Sequence, residues 1–320
     1  MKNNYKFAAL DIGTNSFHLI VISASSVDNF KIIDRKREVI RLSEGNFGEI
    51  KIIQPESIHR AIEAINRFKK ISELHEAKLL VTATSAVREA SNKDEFLRTV
   101  FNGTGVNIKV IDGIEEARLI YRGIQKAIPI FDKTSLTIDI GGGSTEFILG
   151  KEGKIEFADT IKIGAVRLTQ KFFLDHIVTN QRIEETRYWV KGIISQIVLH
   201  LSHSKIEEFV GSSGTIMNAG LMLRERRKFS KSDSPILNNF EFSADELFEI
   251  EAEVLSRKTL EERKAIPGLE EGRADIIPAG IIIISTIFRM LKIKKMIISG
   301  YTLREGMILD SMDKLGISKN

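Results

Sequence analysis

Apolar and polar positions along the chain repeat one theme twice. Residues 6–12 and 17–24 are apolar runs rich in Val and Ile, separated by the short polar turn "GTNS", a pattern that predicts a β-hairpin. "FKIIDRKREVIRL" then predicts a third strand of the same sheet. "QPESIHRAIEAINRFKKISELH" places Pro55 near its start and Ile58, Ile62, Ile65 and Phe68 at helical spacing. "KLLVTATSAVREASNKDEFLRTV" passes from strand to helix, with Ser85 or Ser91 as the candidate cap. "NIKVIDGIEEARLIYRGI" repeats that step, and then "TIDIGGGSTEFILG" at residues 137–150 begins a second hairpin. A chain that starts its pattern over in this way predicts a duplicated α/β architecture.

Two later segments refine the picture. "IIPAGIIIISTIF", at residues 276–288, is the longest apolar stretch, but it falls short of the ~20 residues needed to cross a bilayer and contains Pro278. It predicts a buried helix. In "EETRYWVKGIISQIVLHL" the apolar spacing assigns Tyr188 and Trp189 to core packing rather than base stacking.

Composition narrows the functional classes. A length of 320 residues favours two domains over one, and a hydrophobic fraction of 42% supports real cores. Lys and Arg number 47 against 43 Asp and Glu, a formal net charge of +4 that gives only mild attraction to polyanions. Neither a nucleic-acid nor a membrane partner is expected. The absence of cysteine excludes disulfides, thiolate metal sites and cysteine nucleophiles. "MKNNYKFAALDIG" runs into the first strand with no cleavable signal pattern, so the expected compartment is the cytoplasm. The basic run "RERRKFSK" at residues 224–231 could guide a polyanion, although such runs are usually solvated loops.

The repeated hairpin carries the candidate chemistry. Glycine permits backbone conformations in which N–H groups converge on an anion, so a glycine-rich turn can cradle phosphate oxygens, and an aspartate at the strand end can hold Mg2+. Asp11 and Asp139 occupy the same place in their two copies. Two such turns facing each other would clamp one phosphate chain in a cleft between related domains. A lone Asp-Ile-Gly also fits a plain strand-to-turn junction. A third turn, "VGSSGTIMNAG" at residues 210–220, again follows a strand and opens a helix, as a phosphate loop does.

With these residues in view, the chain resembles the superfamily of actin, hexokinase and the heat-shock chaperones. More narrowly it resembles the exopolyphosphatase and guanosine pentaphosphate phosphohydrolase family. "DIGTNSFHLIV", "TATSAVREASN", "DGIEEARLIYRGI", "DIGGGSTEFILG", "IGAVRLT", "GSSGTI" and "LREGMI" carry the match over almost the whole chain. The resemblance implies two duplicated actin-like, ribonuclease H-like α/β domains with an interdomain cleft. Their expected bounds are 1–122, with a C-terminal helix at 303–320 packing back on it, and 123–302.

The family also implies roles, position by position. Glu116, the second glutamate of "IEEARLI", corresponds to the base that activates the attacking water, whereas on residues alone a solvated helix face beside Arg118 is the preferred reading. Glu115 lies on another face of that helix. Arg88 corresponds to an arginine facing the terminal phosphate, with a salt bridge to Glu89 or Glu95 as the plain alternative. Asp139 and Glu146, with Asp11, correspond to acidic metal residues for Mg2+ or another divalent cation. Gly141, Gly142, Gly143, Ser144 and Thr145 correspond to one phosphate loop, Gly13, Thr14, Asn15 and Ser16 to its partner, and Ser213, Gly214 and Thr215 to the third turn. His18 belongs to the family pattern but lacks a second ligand at metal spacing, which assigns it to packing or hydrogen bonding.

The implied activity is release of terminal orthophosphate from inorganic polyphosphate or guanosine pentaphosphate, by a homodimer. A superfamily kinase and a nucleotide-dependent scaffold are the alternatives. Longer members of the family continue into a helical domain that extends the polymer channel, whereas this sequence ends at Asn320, which bears on processive attack on very long chains. "SGYTLREGM" also sets Tyr301, after Gly300, where the resemblance implies a smaller residue.

Overall fold

The computed structural model describes residues 4–45, 51–228 and 237–317. They form two compact units, one comprising Met1–Gly123 with Tyr301–Asn320 and the other Ile124–Gly300.

The first unit begins with three antiparallel strands, β1 (Tyr5–Ile12), β2 (Ser16–Ala24) and β3 (Phe30–Val39). Helix α1 (Pro55–Leu74) leads to β4 (Lys78–Ala83), which lies parallel to β1. The short α2 (Ser85–Arg88), α3 (Lys93–Thr104) and the two-residue β5 (Lys109–Val110) follow, giving the strand order β3-β2-β1-β4-β5. Alternation along β1 sends Ala8, Leu10 and Ile12 into a core built with Ile58, Phe68 and Phe96 of α1 and α3. Asp11 therefore emerges on the opposite face of the sheet. Helix α4 (Gly113–Ala127) contains the boundary between the units.

The second unit repeats the arrangement with β6 (Ser135–Ile140), β7 (Thr145–Lys151) and β8 (Lys154–Ile161). Helices α5 (Ala165–Phe172) and α6 (Asn180–Leu201) precede β9 (Glu208–Ser212), which runs parallel to β6 as β4 does to β1. After α7 (Ser213–Arg226) come β10 (Phe240–Ser243), α8 (Ala244–Ser256), α9 (Leu260–Lys264), a single 3-10 turn at Glu271–Arg273, α10 (Ile277–Leu291) and β11 (Lys295–Ile298). The strand order is β10-β11-β9-β6-β7-β8. Leu136, Ile138 and Ile140 face the core and Asp139 faces the other way, as in β1. Helix α11 (Leu303–Lys314) then completes the first unit against β1.

The apolar run at 276–288 forms the buried helix the sequence predicts, with Ile277 to Phe288 inside and proline in its first turn, where a missing N–H costs nothing. Among the described residues no helix is long and apolar enough to cross a membrane.

Three expectations need correction. Neither Ser85 nor Ser91 is a cap: Thr84 and Asn92 precede α2 and α3, and neither caps through its side chain. Asn92 instead spans the chain at Ile53, accepting from its N–H and donating to its carbonyl. Tyr188 and Trp189 are not core residues, being 82% and 43% exposed. The inward stripe of α6 runs through Ile183, Thr186, Val190, Ile194, Ile197 and Leu201, and Trp189 is one step of about 100° off it. Trp189 lies edge-on to Phe172 with the Lys171 ammonium 4.2 Å from its ring centre. The turn glycines are also not chosen for left-handed φ, which the described glycines adopt only at Gly45, Gly105, Gly153, Gly268 and Gly316. At Gly13 the reason is space, since a Cβ would stand 2.9 Å from the Ser16 carbonyl oxygen.

Candidate active site

In the first unit, Asp112 caps α4 by accepting from the Glu115 N–H through Oδ1, at 2.8 Å. That start sets adjacent glutamates on different faces. Glu115 turns toward Arg118, which donates to both of its oxygens at 2.7 and 3.1 Å and, with Lys109, holds the carboxyl below its usual range. Glu116 turns inward and is only 6% exposed. Its Oε2 accepts from Arg88 Nη1 at 2.7 Å, and the same nitrogen donates to the Ile111 carbonyl at 3.1 Å. Arg88 therefore pairs with neither Glu89, which accepts from Ser85, nor Glu95 in the way the plain alternative required. The two residues assigned to base and phosphate grip are brought into direct contact.

Glycines fix where α4 lies. A Cβ on Gly123 would be 2.0 Å from the Thr302 carbonyl oxygen, and one on Gly306 1.9 Å from that of Leu119. Helix α4 and the α11 segment thus meet at backbone distance, and "LREGMI" contributes Gly306 to that contact. Arg118 adds a 2.7 Å bond to Asp310, and Arg122 pairs with Asp313.

Each hairpin turn has its carbonyls tied down by the segment that follows the third strand. In the first unit the Ile40 and Arg41 N–H groups donate to the Asn15 carbonyl and Leu42 to that of Thr14. In the second, Ala165 donates to Gly141, Val166 and Arg167 to Gly142, and the Arg167 Nε to Gly143 at 2.7 Å. This explains "IGAVRLT", and also Gly164, where a Cβ would come within 2.4 Å of Gly142. Carbonyls engaged in this way are less able to repel an anion, which is compatible with the phosphate-binding role expected of these turns. Thr14, Asn15, Ser16, Ser144 and Thr145 are buried, and Thr145 Oγ1 is spent on the Ile163 carbonyl at 2.7 Å.

The third turn docks on the second. Ser212 Oγ donates to Asp139 Oδ2 at 2.5 Å, and Ser213 Oγ to the Ile140 carbonyl at 2.6 Å. Ser213 holds φ at 75°, a left-handed conformation uncommon for a residue with a Cβ. Thr215 is buried, and a Cβ on Gly280 would stand 2.7 Å from its methyl carbon. Over Gly214 lies an arginine that sequence reasoning missed: a Cβ there would be 1.7 Å from Arg273 Nη2. Glu270 accepts from Arg273 Nε at 3.2 Å and from Asn218 of α7 at 2.9 Å. The only signal was the arginine in "EEGRADIIPAG", just ahead of the apolar run.

Asp139 and Glu146 are register partners across β6 and β7, 6% and 1% exposed. Among the described residues no group of three or more acidic or histidine side chains assembles. Two adjacent carboxylates nevertheless fit a hard cation such as Mg2+, which uses one or two of them and fills its shell with water and phosphate oxygens. Asp11, in its own unit, pairs in register with His18 and Thr82 rather than with a carboxylate. In the basic run, Arg226 is bound to Glu249 and Glu253, and Arg227 to Glu246; residues 229–231 lie outside the described residues.

A family model for the Ppx/GppA phosphatase family matches residues 20–315. The chain belongs to that family. A bifunctional 3-dehydroquinate synthase/phosphatase of Fusobacterium nucleatum is 32% identical over 300 residues, covering 89% of this chain and 43% of that protein. A guanosine-5'-triphosphate,3'-diphosphate pyrophosphatase of Photobacterium profundum is 30% identical over 312 residues, covering 97% and 60%. The chain thus spans about half the length of these curated relatives. Among solved structures, an exopolyphosphatase of Cytophaga hutchinsonii aligns with a TM-score of 0.89 and 26% identity over 98% of this chain and 100% of that one. The Ppx/GppA member of Aquifex aeolicus aligns at 0.79 and 23%, over 99% and 100%, a likeness of fold. The duplicated units are therefore those of the actin-like Ppx/GppA fold.

Proposed function

We propose that this Ppx/GppA member is an Mg2+-assisted phosphohydrolase that releases terminal orthophosphate from inorganic polyphosphate, guanosine pentaphosphate or both. The observation that carries the proposal is the buried Glu116 carboxylate, held by Arg88 at the head of α4. The names of the relatives support the substrate class: one is a guanosine-5'-triphosphate,3'-diphosphate pyrophosphatase and another an exopolyphosphatase.

In this reading Arg88 grips the terminal phosphate through its planar fork, and Glu116 takes a proton from the attacking water. The water oxygen bonds to the terminal phosphorus, the bridging P–O bond breaks, and orthophosphate and the shortened chain depart. Backbone N–H groups of the turns at 13–16, 142–145 and 213–215 hold phosphate oxygens, while the Gly141 N–H is spent on the Ser144 carbonyl at 2.9 Å. Asp139 and Glu146 would hold Mg2+, which when bound neutralises charge on the phosphate oxygens. Asp11, expected as a third metal residue, is assigned instead to the first turn, because its register neighbours are His18 and Thr82 rather than a second carboxylate.

The experiment is phosphate release from short polyphosphate, long polyphosphate and guanosine pentaphosphate, with and without small hydroxyl acceptors. Orthophosphate in the absence of any acceptor is the expected result. Phosphate transferred only when an acceptor is present would make the protein a kinase. Nucleotide binding without turnover would make it a scaffold. Light scattering tests the dimer, and a monomer at working concentrations would remove that part of the reading.

A further inference from the structure

One register row crosses each sheet at its aspartate. In the first unit Arg37 of β3 pairs with His18 of β2, His18 with Asp11 of β1, and Asp11 with Thr82 of β4. In the second, Thr160 of β8 pairs with Glu146 of β7, Glu146 with Asp139 of β6, and Asp139 with Ser212 of β9. Directly paired residues share a face of a sheet, so each row is a line of side chains on the face opposite the main core. The hairpins have the same length, since positions 11 and 18 are as far apart as 139 and 146. The rows are therefore equivalent by construction and differ only in chemistry.

That difference has a sign. The second row sets two carboxylates side by side between hydroxyls, a donor set for a hard cation. The first row sets its single carboxylate beside an imidazole, with a guanidinium one strand further out. Arg37 is aimed by its own contact, donating through Nε to Ser16 Oγ at 3.4 Å, at the last residue of the first turn. The chain just beyond Arg37 is the segment whose N–H groups hold the Asn15 and Thr14 carbonyls. One strand end thus delivers both the clamp on the turn and a guanidinium beside it.

We propose that Arg37 is a phosphate-binding residue, its guanidinium taking oxygens of a phosphate group seated at the first turn. Duplication followed by divergence would then have given one row to the cation and the other to the anion. This rests on the phosphohydrolase reading above and adds to it a residue outside the family motifs.

The test compares Arg37→Gln and Arg37→Lys with the unmodified protein, using polyphosphate of defined length. Loss of one charge-assisted contact should raise KM roughly tenfold or more, with the effect falling mainly on KM. It should also make the slope of log KM against log salt shallower by about one, which a purely structural role would not do. Arg37→Lys keeps the charge without the fork and should recover part of the loss, and it serves as the informative variant if Arg37→Gln does not fold. If the unmodified protein turns over polyphosphate while both variants keep its KM and salt slope, Arg37 is structural and the proposal is overturned. If the unmodified protein releases no phosphate, the phosphohydrolase reading itself fails, and this proposal with it.

Discussion

Arg88 Nη1 stands 2.7 Å from Glu116 Oε2, although 28 positions separate the two residues in the chain. The contact joins the last residue of α2 to the first turn of α4, and Ile111 holds the same nitrogen through its carbonyl. The guanidinium proposed for the terminal phosphate therefore rests on the carboxylate proposed for the water. A phosphate that draws Arg88 toward itself leaves Glu116 with less competition for a water proton. In the proposed mechanism this one ion pair would couple grip and base.

Glu116→Gln keeps size and hydrogen-bonding atoms and removes the basic carboxylate. Turnover should fall about 100-fold or more while substrate binding is largely kept. Because the pair is in contact, Arg88→Gln and the double variant should be non-additive in kcat/KM by about 1 kcal/mol or more. Steady-state kinetics on the four proteins decides both points. Near-normal turnover in Glu116→Gln would reassign the carboxylate to structure, and strict additivity would mean that the two residues act independently.

Asp139→Asn should raise the Mg2+ concentration needed for half-maximal activity, since one hard anionic donor of the β6–β7 pair is lost. Ser212→Ala should do so more weakly, because it removes only the hydrogen bond that orients Asp139. Titrating activity against Mg2+ for each variant measures this. An unchanged titration for Asp139→Asn takes that residue out of the metal site.

The hairpins were legible because two local signals agreed: strand periodicity on either side, and small polar or glycine residues between. The buried helix at 276–288 was legible for the same kind of reason. What escaped depends on contacts far apart in sequence. Whether Trp189 or Val190 faces inward is decided by one step of helix rotation, and a stripe in a helix as apolar as α6 can be drawn through either. Arg273 reaches Gly214 only after β9, α7 and the 3-10 turn have packed. Arg37 joins the row of Asp11 only once the register of β3 on β2 is set, and a one-residue slip would send it to the other face. The motif residues marked the hairpin turns and the head of α4, and their cross-strand and interhelical partners had to come from the fold.

Glu251 of α8 predicts an acid-sensitive second unit. Burial alone would raise its carboxyl, but hydrogen bonds from Arg289, Ser285 and Arg187 outweigh burial and hold it below its ordinary value. A depressed carboxylate contributes stability that is present above the unfolded value of about 4.3 and is lost as pH falls through the folded one. Glu251→Gln should cost about 3 kcal/mol at neutral pH, the low end for breaking a buried pair, because both arginines are partly exposed. Urea unfolding at a series of pH values should show that cost holding at neutral pH and shrinking as pH falls below about 5. A cost independent of pH would mean that shape rather than charge holds α6, α8 and α10 together.

Gly306 and Gly123 tie the position of Glu116 to the stability of the first unit. At either site a Cβ would fall about 2 Å from a backbone oxygen, that of Leu119 for Gly306 and that of Thr302 for Gly123. Backbone cannot rotate away as a side-chain tip can, so the helices must separate. Gly306→Ala should therefore destabilise the protein by about 1–3 kcal/mol, the usual range for overpacking. It should also reduce turnover in whatever fraction stays folded, because α4 carries Glu116 and a shift of its first turn disturbs the contact with Arg88. Gly192 supplies the contrast: nothing lies within 4 Å of a Cβ there, and it sits inside α6. Gly192→Ala should stabilise by about 0.5–1 kcal/mol through helix propensity and leave kcat unchanged. Thermal melts and single-turnover rates on the three proteins separate the cases. If Gly306→Ala melted with the unmodified protein and kept its rate, the close approach of α4 and α11 would not be what positions the carboxylate.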